Sequence, residues 1–113
     1  MANDFDLSCA CQRLVKLDHL GHEEIIRALQ DNPDPGSIVF LQRAIAQKPQ
    51  LAYLEYDDYG AYYKKCLWAL QAIGTREAIA VIESCARSEI PELRAQALHR
   101  LARIGSGLPS QKD

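Results

Sequence analysis

The sequence has no basic excess and no long apolar run. Its 13 lysines and arginines are outnumbered by 15 aspartates and glutamates, which gives a formal net charge of −2. Proteins that bind nucleic acids or anionic membranes usually carry a clear basic excess, and a membrane-spanning helix needs roughly 18 consecutive apolar residues. The composition therefore argues against a nucleic-acid partner and against a membrane partner.

The N-terminus lacks the pattern of a secretory signal. The first residues, MANDFDLSCACQ, have neither the basic start nor the apolar core of such a signal, and we therefore expect a cytoplasmic protein. Disulfide frameworks are typical of small secreted chains, so none is expected here. Cys66 and Cys85 fall on the apolar stripes of predicted helices, where a thiol packs as a small hydrophobe.

The N-terminal cysteines and histidines do not have the spacing of a common metal motif. Cys9, Cys11, His19 and His22 form C-x-C-x7-H-x2-H, whereas zinc fingers usually combine C-x2-4-C with H-x3-5-H. On a helix, Cys9 and Cys11 point about 200° apart and cannot share a metal ion. We therefore predict no metal site and no cofactor, and interpret these cysteines as structural.

Common catalytic motifs are missing as well. His22-Glu23-Glu24 does not continue to HExxH, and the chain has no phosphate-binding loop, nucleophile elbow or glycine fingerprint. The three histidines, His19, His22 and His99, stand beside helix turns or on polar helix faces, where a solvent-exposed or capping role is expected. The sequence therefore predicts a protein that is not an enzyme.

Helical periodicity runs along almost the whole chain. Apolar residues recur every three or four positions, and no segment alternates in the manner of a β-strand. This pattern predicts an all-α protein with helices over residues 4–17, 22–30, 37–47, 60–73, 76–88 and 91–104.

Glycine, threonine and proline mark the predicted helix ends in the second half of the chain. Gly74 is a predicted C-terminal glycine, Thr75 is a predicted N-cap, and Pro91 suits the first position of the last helix. Gly105 is expected to stop that helix. The tail 106–113 is rich in glycine, serine and proline and is predicted to be flexible.

The same stop signals reveal an internal repeat. A shift of 31 residues places the helix before Gly74 on the helix before Gly105, including its apolar stripe. The preceding helices align with a shift of 41, which places Leu41 on Ile82. The ten extra residues lie within 50–59, so this segment is an insertion inside a repeated unit.

The segment KKCLWALQAIGTREAIAVIESCARSEIPELRAQALHRLARIG resembles HEAT repeats, the paired-helix units of α-solenoids. The shared features are the closing pattern A-L-x-x-I-G, alanine-rich helices, and Pro91-Glu92-Leu93-Arg94, which is similar to the family's D-P-x-V-R. Ile90 stands where the family usually supplies a capping aspartate. The resemblance implies a short right-handed α-solenoid of about three HEAT-like helix pairs.

This resemblance also implies a division of the chain. Residues 1–105 would form one domain, in which 4–30 are either a true first pair or an N-terminal cap. Residues 36–74 would be the second pair, with its inserted loop 50–59, and 75–105 the third. The family implies binding more than catalysis. Two enzyme classes with HEAT-like folds, DNA glycosylases and bilin lyases, are weaker alternatives, because cations are few and nothing indicates a tetrapyrrole pocket.

The insertion has an unusual composition. All five tyrosines of the chain lie between Tyr53 and Tyr63, among several carboxylates. Tyrosine suits a contact surface because it is large and has few rotors, and carboxylates attract a basic partner. The predicted partner-binding residues are Tyr53, Glu55, Tyr56, Asp57, Asp58, Tyr59 and Tyr63, together with Trp68.

Two alternatives remain open within this prediction. Tyr62 is assigned to the buried stripe, and Tyr63 could join it in the core, with Asp57 or Asp58 as the N-cap of the helix. Trp68 lies opposite the stripe, on the side of Lys64 and Gln71. It could pack against the preceding repeat or serve as an anchor for a partner in a groove.

Small HEAT-like proteins of this kind resemble the immunity proteins of bacterial polymorphic toxin systems. That resemblance and the acidic, tyrosine-rich segment predict a protein that neutralises a basic toxin domain, such as a nuclease with a basic phosphate-binding cleft. The alternative is a regulatory or scaffolding adaptor that binds a protein or peptide in its concave groove. In that case Trp68, Gln71 and Arg100 should matter more than the loop.

Overall fold

The computed structural model describes residues 6–16, 21–51 and 60–107. These ranges contain α-helices and short 3-10 turns but no strand, which confirms the all-α prediction. Two 3-10 turns, Pro35–Ser37 and Lys48–Gln50, flank the third helix. The helices are α1 Leu7–Leu14, α2 His22–Asp31, α3 Ile38–Gln47, α4 Ala61–Ile73, α5 Arg76–Cys85 and α6 Pro91–Gly107. None of these helices combines the length and the apolar composition that a bilayer crossing requires.

The junction between α4 and α5 has the predicted caps. Gly74 adopts a left-handed backbone with φ 72°, and its N–H donates to the carbonyl oxygen of Leu70 at 3.1 Å. Thr75 follows in extended conformation, and its hydroxyl accepts a hydrogen bond from the N–H of Ala78 at 3.2 Å. A left-handed residue followed directly by a side-chain cap makes the chain leave one helix and start the next.

α4 begins differently from the prediction. Gly60, with φ 76°, is its N-cap, so neither Asp57 nor Asp58 holds that position. A β-carbon at Gly60 would lie 3.2 Å from Cβ of Glu92 on α6, a tighter approach than packed side chains normally allow. The left-handed backbone and the contact with α6 both favour glycine at this point.

α6 starts at Pro91, as predicted, but continues through Gly105 to Gly107. The predicted stop at Gly105 is therefore wrong. A glycine within a helix costs only about 1 kcal/mol relative to alanine and does not by itself end the helix. Gly74 ends α4 because Thr75 immediately caps another helix, whereas Gly105 is followed by no such cap in the described part of the chain.

α4 is the central helix of the fold. It contacts α2, α3, α5 and α6, while α1 packs on α2 and α3, and α5 packs on α6 and α3. Because neighbours cover several of its sides, six α4 residues are buried: Tyr62, Tyr63, Cys66, Leu67, Ala69 and Leu70. The predicted apolar stripes of α2, α3 and α5 supply most of the remaining core, including Ile26, Leu41 and Ile82.

The cysteines lie where their helix phase predicts. Cys66 and Cys85 are buried, and Cys9 is exposed while Cys11 is buried, as expected for two positions on different helix faces. Burial raises the pKa of the Cys85 thiol, and burial together with the nearby Asp34 carboxylate raises the pKa of the Cys11 thiol. Three of the four thiols are therefore packed as apolar groups.

Of the two roles predicted for His22, solvent-exposed or capping, the exposed one is wrong. It is the first residue of α2 and is fully buried, and its Nε2 donates to the carbonyl oxygen of Lys16 at 2.6 Å. This hydrogen bond satisfies a carbonyl beyond the end of α1 and joins the two helices. His99 is exposed, as predicted, and His19 lies outside the described residues.

Candidate functional site

Six of the predicted partner-binding residues, Tyr53, Glu55, Tyr56, Asp57, Asp58 and Tyr59, lie outside the described residues. Their role as a contact surface stays a prediction. Tyr63 and Trp68 lie on α4 within the described ranges, and the structure separates them. One belongs to the core and the other to the surface.

Tyr63 is a core residue, and its assignment to the partner surface is wrong. Its side chain is only 3% exposed. Its ring meets Tyr62 edge-to-face, with ring centroids 6.4 Å apart, and Nζ of Lys48 lies 5.0 Å from its centroid. The turn after α3 therefore covers this ring. Tyr63 is buried because α4 is packed on more than one side, so positions beside the main stripe are also enclosed.

Trp68 lies on the outer face of α4 and is 38% exposed. Lys64 and Lys65 precede it by four and three residues and lie on the same face of the helix. A depression of about 390 Å³ opens here, and we call it the Trp68 groove. It is lined by Gln30, Ala61, Lys64, Lys65 and Trp68. Trp68 combines features of its two alternatives: the ring borders this groove, and one face of the ring is packed against another helix.

The packed face of the indole ring is covered by Arg100 of α6. The guanidinium carbon of Arg100 lies 3.9 Å from the ring centroid of Trp68, within the range of a cation–π contact. Nη1 of Arg100 also donates to Oε1 of Gln71 at 3.2 Å. Gln71 follows Trp68 by three residues on α4, so the two contacts fix the guanidinium against one helix face.

Arg100 is a buried cation. Its side chain is 4% exposed, and burial lowers the pKa of its guanidinium, with a further lowering by the like charge of Arg103. Arginine nevertheless stays protonated in proteins. No described carboxylate lies within ion-pair distance of Arg100. The face of the Trp68 ring and the amide of Gln71 therefore replace a carboxylate as its neighbours.

The groove has the opposite charge from the chain as a whole. Lys64 is exposed and has no ion-pair partner among the described residues. Nζ of Lys65 lies 3.5 Å from Oε2 of Glu23 on α2, and both side chains remain partly exposed to solvent, where such pairs contribute little. Arg103 adds a further exposed cation one turn after Arg100. A protein with net charge −2 thus has a basic groove rim, formed by Lys64 and Lys65, beside its single tryptophan.

Sequence reasoning identified part of this site. The residues named for the adaptor alternative, Trp68, Gln71 and Arg100, come together in the structure. It missed the groove lining from Gln30 and the two lysines. The 31-residue repeat could have predicted the contact between Trp68 and Arg100. The shift aligns Trp68 with His99, so the next residue, Arg100, is expected near Trp68 when the two repeated helices pack side by side.

Two further depressions lie elsewhere on the surface. One, of about 320 Å³, lies between α1 and α2 and is lined in part by Asp6, Arg13 and Glu24. The other, of about 460 Å³, lies between α3 and the turn after α5 and includes Cys85 and the exposed Ile90. Neither contains an aromatic side chain among its described lining residues, so neither offers a comparable anchor.

No cluster of three histidine, cysteine, aspartate or glutamate side chains suited to a metal ion occurs in the described part of the chain. Comparison with known proteins supplies no family for the chain. No family model matches it, and no curated protein and no solved structure gave a match. The functional interpretation therefore rests on the residues of the groove.

Proposed function

We propose that this protein is a non-enzymatic binding module that holds a partner protein or peptide in the Trp68 groove. The observation that carries the proposal is the stack of Arg100 on Trp68. Tryptophan is among the residues that most often dominate binding energy at interfaces. A ring that is fixed before the partner arrives loses little conformational freedom on binding. This proposal corresponds to the adaptor alternative of the sequence analysis.

The arrangement of the helices supports a short HEAT-like α-solenoid as the scaffold for this module. Successive helices contact each other within each proposed pair, α1 with α2, α3 with α4 and α5 with α6. The odd-numbered helices contact in series, and so do the even-numbered helices. The molecule measures 40 × 38 × 19 Å, and its smallest extent matches two layers of helices packed about 8–10 Å apart. The groove opens on the layer formed by α2, α4 and α6.

The immunity-protein hypothesis is a narrower form of the same proposal. It rests on the acidic, tyrosine-rich segment 53–59, where Glu55, Asp57 and Asp58 would face a basic toxin domain. That surface and the Trp68 groove carry opposite charges. The two therefore predict partners of different chemistry and can be tested separately.

Affinity capture with matched variants tests the proposed function. Immobilised wild-type protein, Trp68→Ala and Leu98→Ala are exposed to a lysate of the source organism, and bound proteins are quantified by mass spectrometry. Leu98 is the control because it is 53% exposed on α6 and is absent from the groove lining. We expect at least one protein to bind the wild type and Leu98→Ala and to be lost with Trp68→Ala.

Identical capture by all three proteins would contradict the proposal. Circular dichroism and thermal unfolding of each variant establish that the loss of a partner does not reflect loss of the fold. Trp68→Ala also removes the ring that covers Arg100, so it should lower the free energy of unfolding by about 2 kcal/mol while leaving the helical content unchanged.

A further inference from the structure

We propose that the occupant of the Trp68 groove is an acidic peptide segment that brings an apolar or aromatic side chain to Trp68 and carboxylates to Lys64 and Lys65. This inference rests on the proposed function and adds the chemistry of the partner. It follows from the charge of the groove rim, the fixed indole ring and the apolar area beside it.

The charge of the rim selects a negative partner. Lys64 has no described ion-pair partner, Lys65 shares one exposed carboxylate, and Arg103 extends the same sign onto α6. Glu23 is the only acid found in an ion pair at this rim in the described residues. Complementary charges raise association rates and fix the orientation of a partner. A basic segment would meet repulsion from the two lysines of the lining.

The fixed ring selects an apolar contact. Arg100 occupies one face of the indole at 3.9 Å, and Gln71 holds the guanidinium in place. The remaining exposed part of Trp68 borders the groove beside Ala61 and the aliphatic stems of the lysines. Aromatic rings pack well against other rings and aliphatic side chains, and lysine stems cover apolar surface while their ammonium groups stay in water.

A peptide fits these features better than a nucleic acid. Single-stranded nucleic acids also bind to tryptophans with nearby cations, but they need a cationic track along the backbone. The described lining of the groove holds only two cations, and one of them, Lys65, is paired with Glu23, so the groove does not provide such a track. Gln30 supplies amide groups that suit the backbone of a peptide.

Selection from a library of random linear peptides tests this inference. The library is displayed on phage and selected in parallel against the wild-type protein and Trp68→Ala. We expect peptides enriched only by the wild type to carry several aspartates or glutamates around a phenylalanine, leucine or isoleucine. Enrichment of basic or uncharged sequences, or no enrichment that depends on Trp68, would overturn the inference.

Binding constants then identify which groove residues are responsible. The enriched peptide is synthesised with a fluorescein label and titrated by anisotropy at low and at high salt. Trp68 is the only tryptophan of the chain, so the tryptophan emission of the protein reports directly on the groove. We expect about thirtyfold weaker binding for Trp68→Ala and about tenfold weaker binding at low salt for Lys64→Glu.

Arg43→Glu is the matched control for Lys64→Glu. Arg43 is an exposed cation on α3, outside the groove, and its replacement changes the net charge by the same amount. It should alter the affinity less than about twofold. Equal effects of the two substitutions would show a general charge effect and would contradict the assignment to the groove. Tighter binding of a fluorescein-labelled oligothymidylate than of the peptide would contradict the inference and indicate a nucleic acid as the partner.

The failure of this inference can be distinguished from failure of the proposed function. Capture of a cellular protein that depends on Trp68, combined with enrichment of peptides that are not acidic, rejects only the partner chemistry. If neither capture nor peptide selection depends on Trp68, both proposals fail.

Discussion

At the scale of single residues, the main finding is that Arg100 is buried without a described carboxylate partner. The guanidinium is stabilised by a cation–π contact with the face of Trp68 and by a hydrogen bond to the side-chain amide of Gln71. A cation–π contact that is shielded from water contributes about 2 kcal/mol, which offsets part of the desolvation of the guanidinium. Arg100 therefore acts as a positioning residue for Trp68, and its substitution should affect the ring before it affects the fold.

Arg100→Met tests this role. Methionine keeps an unbranched, apolar side chain against the ring but removes the charge and the hydrogen bond to Gln71. The substitution removes both the cost of desolvating the cation and the favourable contact of the cation with Trp68. Since these two energies oppose each other, the free energy of unfolding should change by less than about 1 kcal/mol. The emission of Trp68 should nevertheless shift as the ring gains freedom. Arg100→Lys should not restore the wild-type emission, because an ammonium group cannot stack in the same plane.

The burial of three thiols has a consequence for reactivity. The pKa values of the Cys11 and Cys85 thiols are raised above their ordinary value of 9.0 by desolvation. The reactive form of cysteine is the thiolate, so at neutral pH an alkylating reagent should modify the exposed Cys9 rapidly. Cys11, Cys66 and Cys85 should react only after denaturation. Peptide mapping after timed labelling measures these rates, and rapid labelling of Cys85 in the native protein would contradict its burial.

The same raised pKa values predict the direction of a pH effect. The thiols of the unfolded chain lose their protons near pH 9, before those of the folded chain. The folded state therefore binds more protons above that pH, and stability falls as the pH rises further. Thermal unfolding measured across this range should show a decrease that is smaller after Cys85→Ala.

At the scale of helices and turns, the sequence predicted elements well and their surroundings less well. Periodicity located all the described helices, and the local chemistry of Gly74 and Thr75 predicted the junction between α4 and α5. Tyr63 was misplaced because helix phase describes one buried face, whereas α4 is covered on several sides. A single helix does not reveal how many neighbours cover it.

The two left-handed glycines should differ in their tolerance of alanine. Alanine in left-handed conformation costs roughly 1–2 kcal/mol, which applies to both Gly60 and Gly74. Only at Gly60 would the new methyl group also press on α6, because Cβ of Glu92 would be 3.2 Å away. At Gly74 the nearest atom, the carbonyl oxygen of Gln71, would be at an ordinary 3.5 Å. Gly60→Ala should therefore lower the free energy of unfolding more than Gly74→Ala.

Urea denaturation of the two variants measures this difference. Thr75→Ala is a useful reference, since loss of its cap should reduce stability by about 1 kcal/mol without any clash. Equal destabilisation by Gly60→Ala and Gly74→Ala would contradict the close approach of α6 to the start of α4.

At the scale of the whole molecule, charge is distributed unevenly. The net charge of −2 conceals a basic groove around Trp68 and an acidic run at Glu55, Asp57 and Asp58. The acidic run can be identified directly from the sequence because its residues lie close together along the chain. The groove could not be predicted in the same way, because Gln30, Lys64 and Arg100 come from three helices and meet only after packing.

The acidic run provides the test of the immunity-protein hypothesis. The partner in this test is a basic toxin domain. Replacing Glu55, Asp57 and Asp58 together by alanine should lower its association rate constant about tenfold at low salt, because electrostatic attraction accelerates the encounter. Surface plasmon resonance at several salt concentrations measures the rate and its salt dependence. Association that responds neither to salt nor to the triple substitution would reject this hypothesis, and the same titration with Trp68→Ala would show whether the groove takes part.

Gly60 lies where the two helices of the indole stack approach each other. It is the first described residue after the acidic run, it starts the helix that carries Trp68, and it touches the helix that carries Arg100. A side chain at this position would therefore disturb the start of α4 and the neighbouring part of α6 at once, and these two helices carry the two members of the indole stack.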